Sequence, residues 1–429
     1  MSRAIITPAP LSGRVAPPAS KSDAHRLLIC AALAHGVSHI HRMALNDDIE
    51  ATIRVLRALG ADIALQGDTV IVRGIGGKAA AARDPSPEAE ADCGESGSTL
   101  RFLLPVAAAL GMPVRFTGRG RLPHRPLDTL THLLASHGAP CRREGEAGLP
   151  LWVGGRLQAG TYRLPGDISS QYITGLLLAL PLTGGESRIL LTSPLQSAGY
   201  VDMTIRTMAA FGVEVKRLAD GYLIPAGGGY APADRTAEAD WSAAAFFIAA
   251  GALGGPIALG GLDPASAQGD RAAVELFGRL GASIAWEEGE LRVSPAPLRG
   301  TVIDVSQVPD MAPALAVCAA FAKGETHITG GARLRLKESD RLAAIAAGLA
   351  AMGLAVEELP DGLVIQGAGG RPDGGQIDGA GDHRIVMAFA VAGAYAKGET
   401  CITDAPAVAK SYPAFFTDFT KLGGIVHVI

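Results

Sequence analysis

Two kinds of apolar pattern alternate along the chain. The first is an amphipathic helix that closes on glycine. Thr52-Ile53-Arg54-Val55-Leu56-Arg57-Ala58-Leu59-Gly60 and Leu130-Thr131-His132-Leu133-Leu134-Ala135-Ser136-His137-Gly138 carry it, and four more copies end in Phe211-Gly212, Leu280-Gly281, Met352-Gly353 and Leu422-Gly423. Glycine at that place suits a left-handed helix cap. Short segments of period two follow, such as Ala61-Asp62-Ile63-Ala64-Leu65 and Thr69-Val70-Ile71-Val72, and predict the strands of a hairpin. The second pattern is an Ala-rich helix that is apolar on most faces, as buried helices are. It also occurs six times, beginning near His25, Leu100, Tyr172, Trp241, Met311 and His383.

Copies recur about every 70 residues, the size of a βαβαββ unit. The predicted fold class is therefore α/β, built from six α+β repeats. Stacked solenoid repeats are shorter, ~20–45 residues, so two compact lobes of three units each are expected. Tyr222 to Asp234, rich in Gly, Pro and Ala, is the best linker candidate. The strand Ala4 to Thr7 precedes the first copy and would complete the last, which makes the chain cross twice. The expected lobes are 14–228 for units one to three, and 1–13 with 229–429 for units four to six. Ala243 to Leu262 carries no charge, over the ~20-residue length of a membrane-spanning helix. Gly254-Gly255-Pro256 interrupts it, and proline breaks a helix interior. A buried repeat helix accounts for it better. The N-terminus shows no signal or transit pattern, and a cytoplasmic protein is expected.

Composition narrows the function. Of 429 residues 48% are apolar and only 19% charged, which excludes a disordered chain. A net charge of −4 speaks against a nucleic-acid-binding face but leaves room for local basic clusters. The five cysteines, Cys30, Cys93, Cys141, Cys318 and Cys401, form no C-x-x-C pair. Neither a zinc site nor a disulfide framework is indicated, and each reads as a small core residue. No phosphate-binding G-x-x-x-x-G-K-[ST] loop and no H-E-x-x-H motif is present.

Polar residues gather where each buried helix begins: Ser20 to Arg26, Glu95 to Arg101, Gly166 to Gln171, Asp240 to Ser242, Asp304 to Asp310, and Gly381 to Arg384. Helix capping accounts for Ser, Thr and Asp there. It does not account for Lys21, Arg26, Arg101 and Arg384, because cations oppose the dipole at a helix N-terminus. An anion bound at the same place would reconcile them. The loops Arg119 to Pro126, Arg333 to Arg341 and Lys410 to Pro413 add further cations. A compact polyanion is the ligand class these imply, since arginine grips phosphate and carboxylate through two parallel hydrogen bonds. Asp310 and Glu338 stand among the cations as candidates for proton transfer. The bland alternatives are a helix cap for Asp310 and an i,i+3 ion pair with Arg341 for Glu338.

The set Ser20-Lys21-Ser22…Arg26, Ser96-Gly97-Ser98…Arg101, Ser169-Ser170-Gln171, Arg335-Leu336-Lys337-Glu338-Ser339-Asp340-Arg341 and Asp382-His383-Arg384 resembles the 5-enolpyruvylshikimate-3-phosphate (EPSP) synthases, in family order and over nearly the whole chain. The resemblance implies two lobes, each an inside-out α/β barrel of three units, with the active site in the cleft between them. It implies transfer of an enolpyruvyl group from phosphoenolpyruvate to shikimate 3-phosphate. Lys21, Ser22, Arg26, Ser169, Ser170, Gln171, Ser197, Asp310 and Lys337 would hold shikimate 3-phosphate. Lys21, Gly97, Arg125, Gln171, Arg341, Arg384 and Lys410 would hold phosphoenolpyruvate. Asp310 would take the hydroxyl proton, and Glu338 would serve the methylene carbon with Lys21 assisting. No metal or organic cofactor is expected, because arginines can stabilise the departing phosphate. The expected partners are these two small molecules alone, on a monomer, with no nucleic acid and no membrane.

The chain departs from the commonest family pattern at His25 and Glu95, where Asn is frequent, at Arg333, which replaces an Asn, and at Trp241, in a stretch usually small. Sister enzymes acting on UDP-N-acetylglucosamine share the fold. They usually carry a reactive Cys in the loop that is Arg119 to Arg125 here, which has none, and Asn where this chain has Ser22. A repeat scaffold without catalysis would not need cations and carboxylates at matched ends of its repeats.

Overall fold

The computed structural model describes residues 2–76 and 89–429. The chain forms two compact units. The middle unit is Lys21–Ala237; the split unit joins Met1–Ser20 to Glu238–Ile429.

The middle unit holds helices α1 (Lys21–Leu33), α2 (Asp47–Ala58), α3 (Gly97–Leu110), α4 (Asp128–Ser136), α5 (Ser170–Ala179) and α6 (Ala198–Ala210). The split unit holds α7 (Trp241–Leu253), α8 (Ala273–Arg279), α9 (Ala312–Phe321), α10 (Arg341–Ala351), α11 (His383–Tyr395) and α12 (Phe415–Lys421). Odd-numbered helices are the Ala-rich ones and are buried along almost their whole length. Even-numbered helices bury one face, as their 3.6-residue pattern requires. Each ends before a glycine in the left-handed region: Gly60 (φ +100°), Gly138 (+90°), Gly212 (+82°), Gly281 (+103°), Gly353 (+83°) and Gly423 (+98°).

Six four-stranded sheets complete the repeats. In each, an edge strand runs parallel to the second and the remaining pairs are antiparallel. Ala89–Asp92, for example, lies parallel to Val114–Thr117, which pairs antiparallel with Leu151–Val153, and that with Cys141–Arg143. In the last sheet the N-terminal strand Arg3–Thr7 takes the third place, between Thr400–Thr403 and Ile425–Val428. The strand expected to complete the sixth unit does so.

The two passages between units follow a rule of their own. Gly13–Val15 precedes α1 but pairs with Ile257–Leu259 of the split unit. Arg235–Thr236 precedes α7 but pairs with Ile40 and His41 of the middle unit. Each crossing strand thus stays in the unit it leaves. The division falls after Ser20 and after Ala237, where the sequence suggested 13/14 and 228/229. Hydrogen bonding sets it. Ser20 N donates to Glu238 O (2.7 Å), and the buried Tyr230 hydroxyl donates to Leu178 O (2.8 Å). Gly221–Ile224, which overlaps the start of the expected linker, is an inner strand of the third sheet.

The uncharged stretch 243–262 resolves into α7, a turn and the strand Ile257–Leu259. Among the described residues no helix is long and apolar enough to cross a membrane. Cys30, Cys93 and Cys318 lie in the core as expected, whereas Cys141 and Cys401 are partly exposed. Both of these sit on strands, where alternate side chains face outward.

Candidate active site

In the middle unit the chemistry collects at the N-termini of α1, α3 and α5 and at the start of α6. Lys21 opens α1, and its Nζ donates to Asp48 Oδ2 at 2.8 Å. Arg26 is 2% exposed. Its Nε donates to Thr204 Oγ1 (2.8 Å), and its terminal nitrogens donate to the carbonyls of Ser22 (2.5 Å) and Tyr200 (2.9 Å). The guanidinium lies 5.2 Å from the centre of the Phe102 ring. Burial pushes its pKa down to about 10, with Asp23 and Tyr200 pulling the other way. The acceptors that hold Arg26 are neutral oxygens, and Asp23 is the carboxylate whose charge acts on it.

Ser96 caps α3 by accepting from Thr99 N (3.2 Å). Gly97 comes next. A Cβ there would stand 2.5 Å from Arg125 Nη1 and 2.7 Å from Arg101 Nη1, so a larger residue would push these guanidiniums back from the helix N-terminus. Arg101 donates to Gln171 Oε1 (2.9 Å) and to Pro126 O (3.1 Å), and Gln171 Nε2 donates to Ser98 Oγ (2.9 Å). Ser169 caps α5 through Gln171 N (3.3 Å), and Ser170 is buried beside it. Ser197, buried with φ +56°, opens α6, which packs against α1 and α5.

Behind this set a hydroxyl chain ties three helices together. His25 Nδ1 bonds Thr52 Oγ1 (2.7 Å), Thr52 bonds Thr99 Oγ1 (2.7 Å), and Thr99 donates to Ser96 Oγ (2.8 Å). Burial first, then Lys21 and Arg26, push the His25 pKa well below its ordinary value. The imidazole is neutral, and the family departure at His25 is a structural one.

In the split unit one arginine organises three carboxylates. Arg341 opens α10 and is 1% exposed. Its Nε donates to Asp382 Oδ2 (2.7 Å), Nη1 to Asp310 Oδ1 (2.9 Å) and Nη2 to Glu338 Oε2 (2.8 Å). Burial opposes its charge, but Asp382, Glu338 and Asp310 together raise its pKa. Asp310 also accepts from Lys337 Nζ (3.3 Å) and from Arg384 Nη2 (3.2 Å). Three cations therefore face this carboxylate. Asp310 is not a helix cap: α9 begins at Ala312, and its cap, Met311, makes no side-chain bond. The i,i+3 pair of Glu338 with Arg341 does form.

Asp382 has two tasks, capping α11 through Arg384 N (2.9 Å) and anchoring Arg341. Lys410 Nζ donates to the neighbouring carbonyl of Gly381 (2.9 Å). Arg335 braces the loop that carries Lys337 and Glu338, donating to the carbonyls of Pro360 (3.0 Å) and Leu359 (2.7 Å) and to Asp340 and Glu358. Arg333 donates to Ser306 O (2.7 Å).

The residues expected at the site thus lie in two places: at helix N-termini of the middle unit, and in the split unit around the carboxylates that Arg341 holds, with Lys337 and Arg384 on Asp310 and Lys410 on the carbonyl of Gly381. Sequence reasoning missed Asp48, Thr204 and Asp270. None carries a local pattern, since each meets its partner only across the fold.

A family model described as EPSP synthase (3-phosphoshikimate 1-carboxyvinyltransferase) matches residues 5–419. A 3-phosphoshikimate 1-carboxyvinyltransferase of Clostridium perfringens is 42% identical, covering 99% of both chains. One of Clostridium kluyveri is also 42% identical, over 98% of this chain and 97% of its own. Among solved structures, an EPSP synthase from Acinetobacter baumannii superposes with a TM-score of 0.84 at 28% identity, covering all of both chains. An enolpyruvyl transferase from Streptomyces tendae shares the fold at a TM-score of 0.77 and 19% identity, over 100% of this chain and 99% of that one.

Proposed function

This chain belongs to the EPSP synthase family, the 3-phosphoshikimate 1-carboxyvinyltransferases, and from that premise we propose how its own side chains serve the reaction. The enzyme transfers the enolpyruvyl group of phosphoenolpyruvate to the 5-hydroxyl of shikimate 3-phosphate and releases phosphate, a step towards aromatic amino acids. The hydroxyl oxygen attacks C2 of phosphoenolpyruvate while the methylene carbon gains a proton. The tetrahedral intermediate then loses one of its three methyl protons, its C–O bond to phosphate breaks, and the double bond returns.

We assign the proton of the hydroxyl to Asp310 and the carbon-bound proton to Glu338, with Lys21 assisting. The single observation that carries this is Arg341, which grips both carboxylates through different nitrogens and so fixes their separation. Arg26, Ser22, Ser169, Ser170, Ser197 and Lys337 are assigned to shikimate 3-phosphate. Arg125, Arg341, Arg384 and Lys410 are assigned to phosphoenolpyruvate, with Gln171 serving both. The approach of Arg125 to Gly97 supports a phosphate or carboxylate at the N-terminus of α3, where backbone N–H groups and the dipole favour negative charge.

Three measurements test these assignments. Phosphate release should require both substrates. Arg125→Ala should raise KM for phosphoenolpyruvate far more than KM for shikimate 3-phosphate, and an equal rise in both contradicts the assignment. Glu338→Gln should slow incorporation of solvent deuterium into the methylene group of phosphoenolpyruvate.

A further inference from the structure

Asp310 must accept a proton, yet Lys337, Arg341 and Arg384 all face it, and cations favour the ionised form of a carboxylate. A base so placed holds a proton weakly. Asp270 is a further carboxyl that no step above uses, and the charges of Asp310 and Arg384 both act on it. Asp270 lies in the 3₁₀ turn Gly269–Ala272, which packs on α7, as does the turn Pro309–Met311 that carries Asp310. It is 3% exposed. Ser242, in the first turn of α7, donates its hydroxyl to Asp270 Oδ2. Oδ1 has no hydrogen-bond partner among the described residues.

We propose that Asp270 is a positioning residue that sets the proton affinity of Asp310: its negative charge offsets the cations around Asp310 and makes Asp310 a stronger base. The proposal rests on Asp310 being the base. Asp270 itself makes no contact with substrate in this scheme.

The surrounding charges are consistent with the role. Burial is the main influence on Asp270, and Asp310 the next, both pushing its pKa up; the Ser242 hydrogen bond and Arg384 pull it down, and Asp240 adds to the rise. The result is about 7, so the group changes charge near neutrality. The other charged groups on adjoining elements are engaged elsewhere. Glu238 accepts from Ser266 (2.5 Å) and Gln268 (3.1 Å). Arg271 donates to Pro264 O (2.9 Å). Glu275 and Arg279 pair with each other on the exposed side of α8. The coupling is reciprocal. When Asp310 takes the substrate proton its charge vanishes, Asp270 ionises more readily, and that ionisation holds the proton on Asp310.

The test is a pair of pH profiles with a direct titration. Turnover at saturating substrates is measured from about pH 5.5 to 9 for the native enzyme, Asp270→Asn and Ser242→Ala. Substrate phosphates titrate near pH 6 and remain in every profile, so the reading is the difference between profiles. The native profile should contain a rising limb near pH 7 that Asp270→Asn lacks, with turnover at pH 8 lower by ~10-fold, one pK unit of base strength. KM for shikimate 3-phosphate should change far less. Ser242→Ala removes a hydrogen bond to the ionised carboxylate and should move the limb to higher pH. Native and Asp270→Asn profiles that superimpose after scaling overturn the proposal.

In parallel, the carboxyl carbons of ¹³C-aspartate-labelled enzyme are titrated without substrate. One resonance should titrate near neutrality, vanish in Asp270→Asn, and titrate at lower pH in Asp310→Asn. Its absence, or its indifference to Asp310→Asn, also overturns the proposal. This readout does not depend on catalysis. If Asp310→Asn kept near-native turnover, the assignment of Asp310 as base would fail on its own, whatever the titration showed.

Discussion

Asp310 and Asp382 are both aspartates at the start of a buried helix, and only their partners tell them apart. Asp382 accepts a backbone N–H and caps; Asp310 accepts only from cations in the contacts described above. Asp310→Asn keeps a side chain that can hydrogen-bond a hydroxyl but cannot take its proton. Turnover should fall by ~10²- to 10⁴-fold, while calorimetric affinity for shikimate 3-phosphate changes by less than about tenfold, or ~1.4 kcal/mol. Asp270 makes a prediction about stability as well. An unperturbed Asp titrates near about 3.9 and Asp270 near about 7, so the folded state binds this proton more tightly than the unfolded one. Below about pH 4 the group costs nothing; as pH rises through the window from about 4 to about 7, its burial removes stability. Asp270→Asn should unfold at higher urea than the native protein at pH 8, by the equivalent of up to a few kcal/mol, and the gap should close towards pH 4. Asp310, Glu338 and Lys337 were legible because they stand in strings where cations and carboxylates mix. Asp270 was not, since a lone Gln-Gly-Asp stretch resembles any capped turn until α7 brings Ser242 against it.

The repeat helices were legible for a simple physical reason. A helix buried on all sides must be apolar on all sides, and one buried on one face must show a period of 3.6. The closing glycines carried as much information, and α8 offers a test with its own control. Gly281 follows α8 at φ +103°, where an added Cβ would also stand 2.8 Å from Pro297 O. Gly278, within the same helix, has nothing within 4 Å of such a Cβ. Gly281→Ala should destabilise by ~1–2 kcal/mol or more, whereas Gly278→Ala should be neutral or stabilising by up to ~1 kcal/mol. Urea midpoints of the two variants against the native protein decide it. Strands were read less well. Arg235–Thr236 and Gln376–Ile377 have two residues each, too few to display alternation, and Arg235–Thr236 pairs far back in the chain. That is why the second unit boundary falls after Ala237, beyond the Gly/Pro-rich stretch instead of within it.

The middle unit is one continuous segment, and its three sheets draw every strand from within 21–237. A fragment of those residues should unfold cooperatively, followed by circular dichroism on heating. A fragment ending at residue 228 lacks the edge strand Arg235–Thr236 and the buried Tyr230. Loss of a large buried aromatic alone costs roughly 3–5 kcal/mol, so the shorter fragment should melt far lower or not fold. If the two melted alike, strand exchange at the crossing would contribute nothing to stability. The last sheet of the split unit has the opposite character. Arg3–Thr7, with Ala4 and Ile6 fully buried, finds both its neighbours in the final thirty residues. During synthesis the chain leaves the ribosome from its N-terminus and domains fold as they emerge. Arg3–Thr7 therefore waits without its partners until residues 400–428 have been made, while the segment made between them is already able to fold. Synthesis of residues 400–428, and not emergence of the middle unit, is the event that completes the split unit.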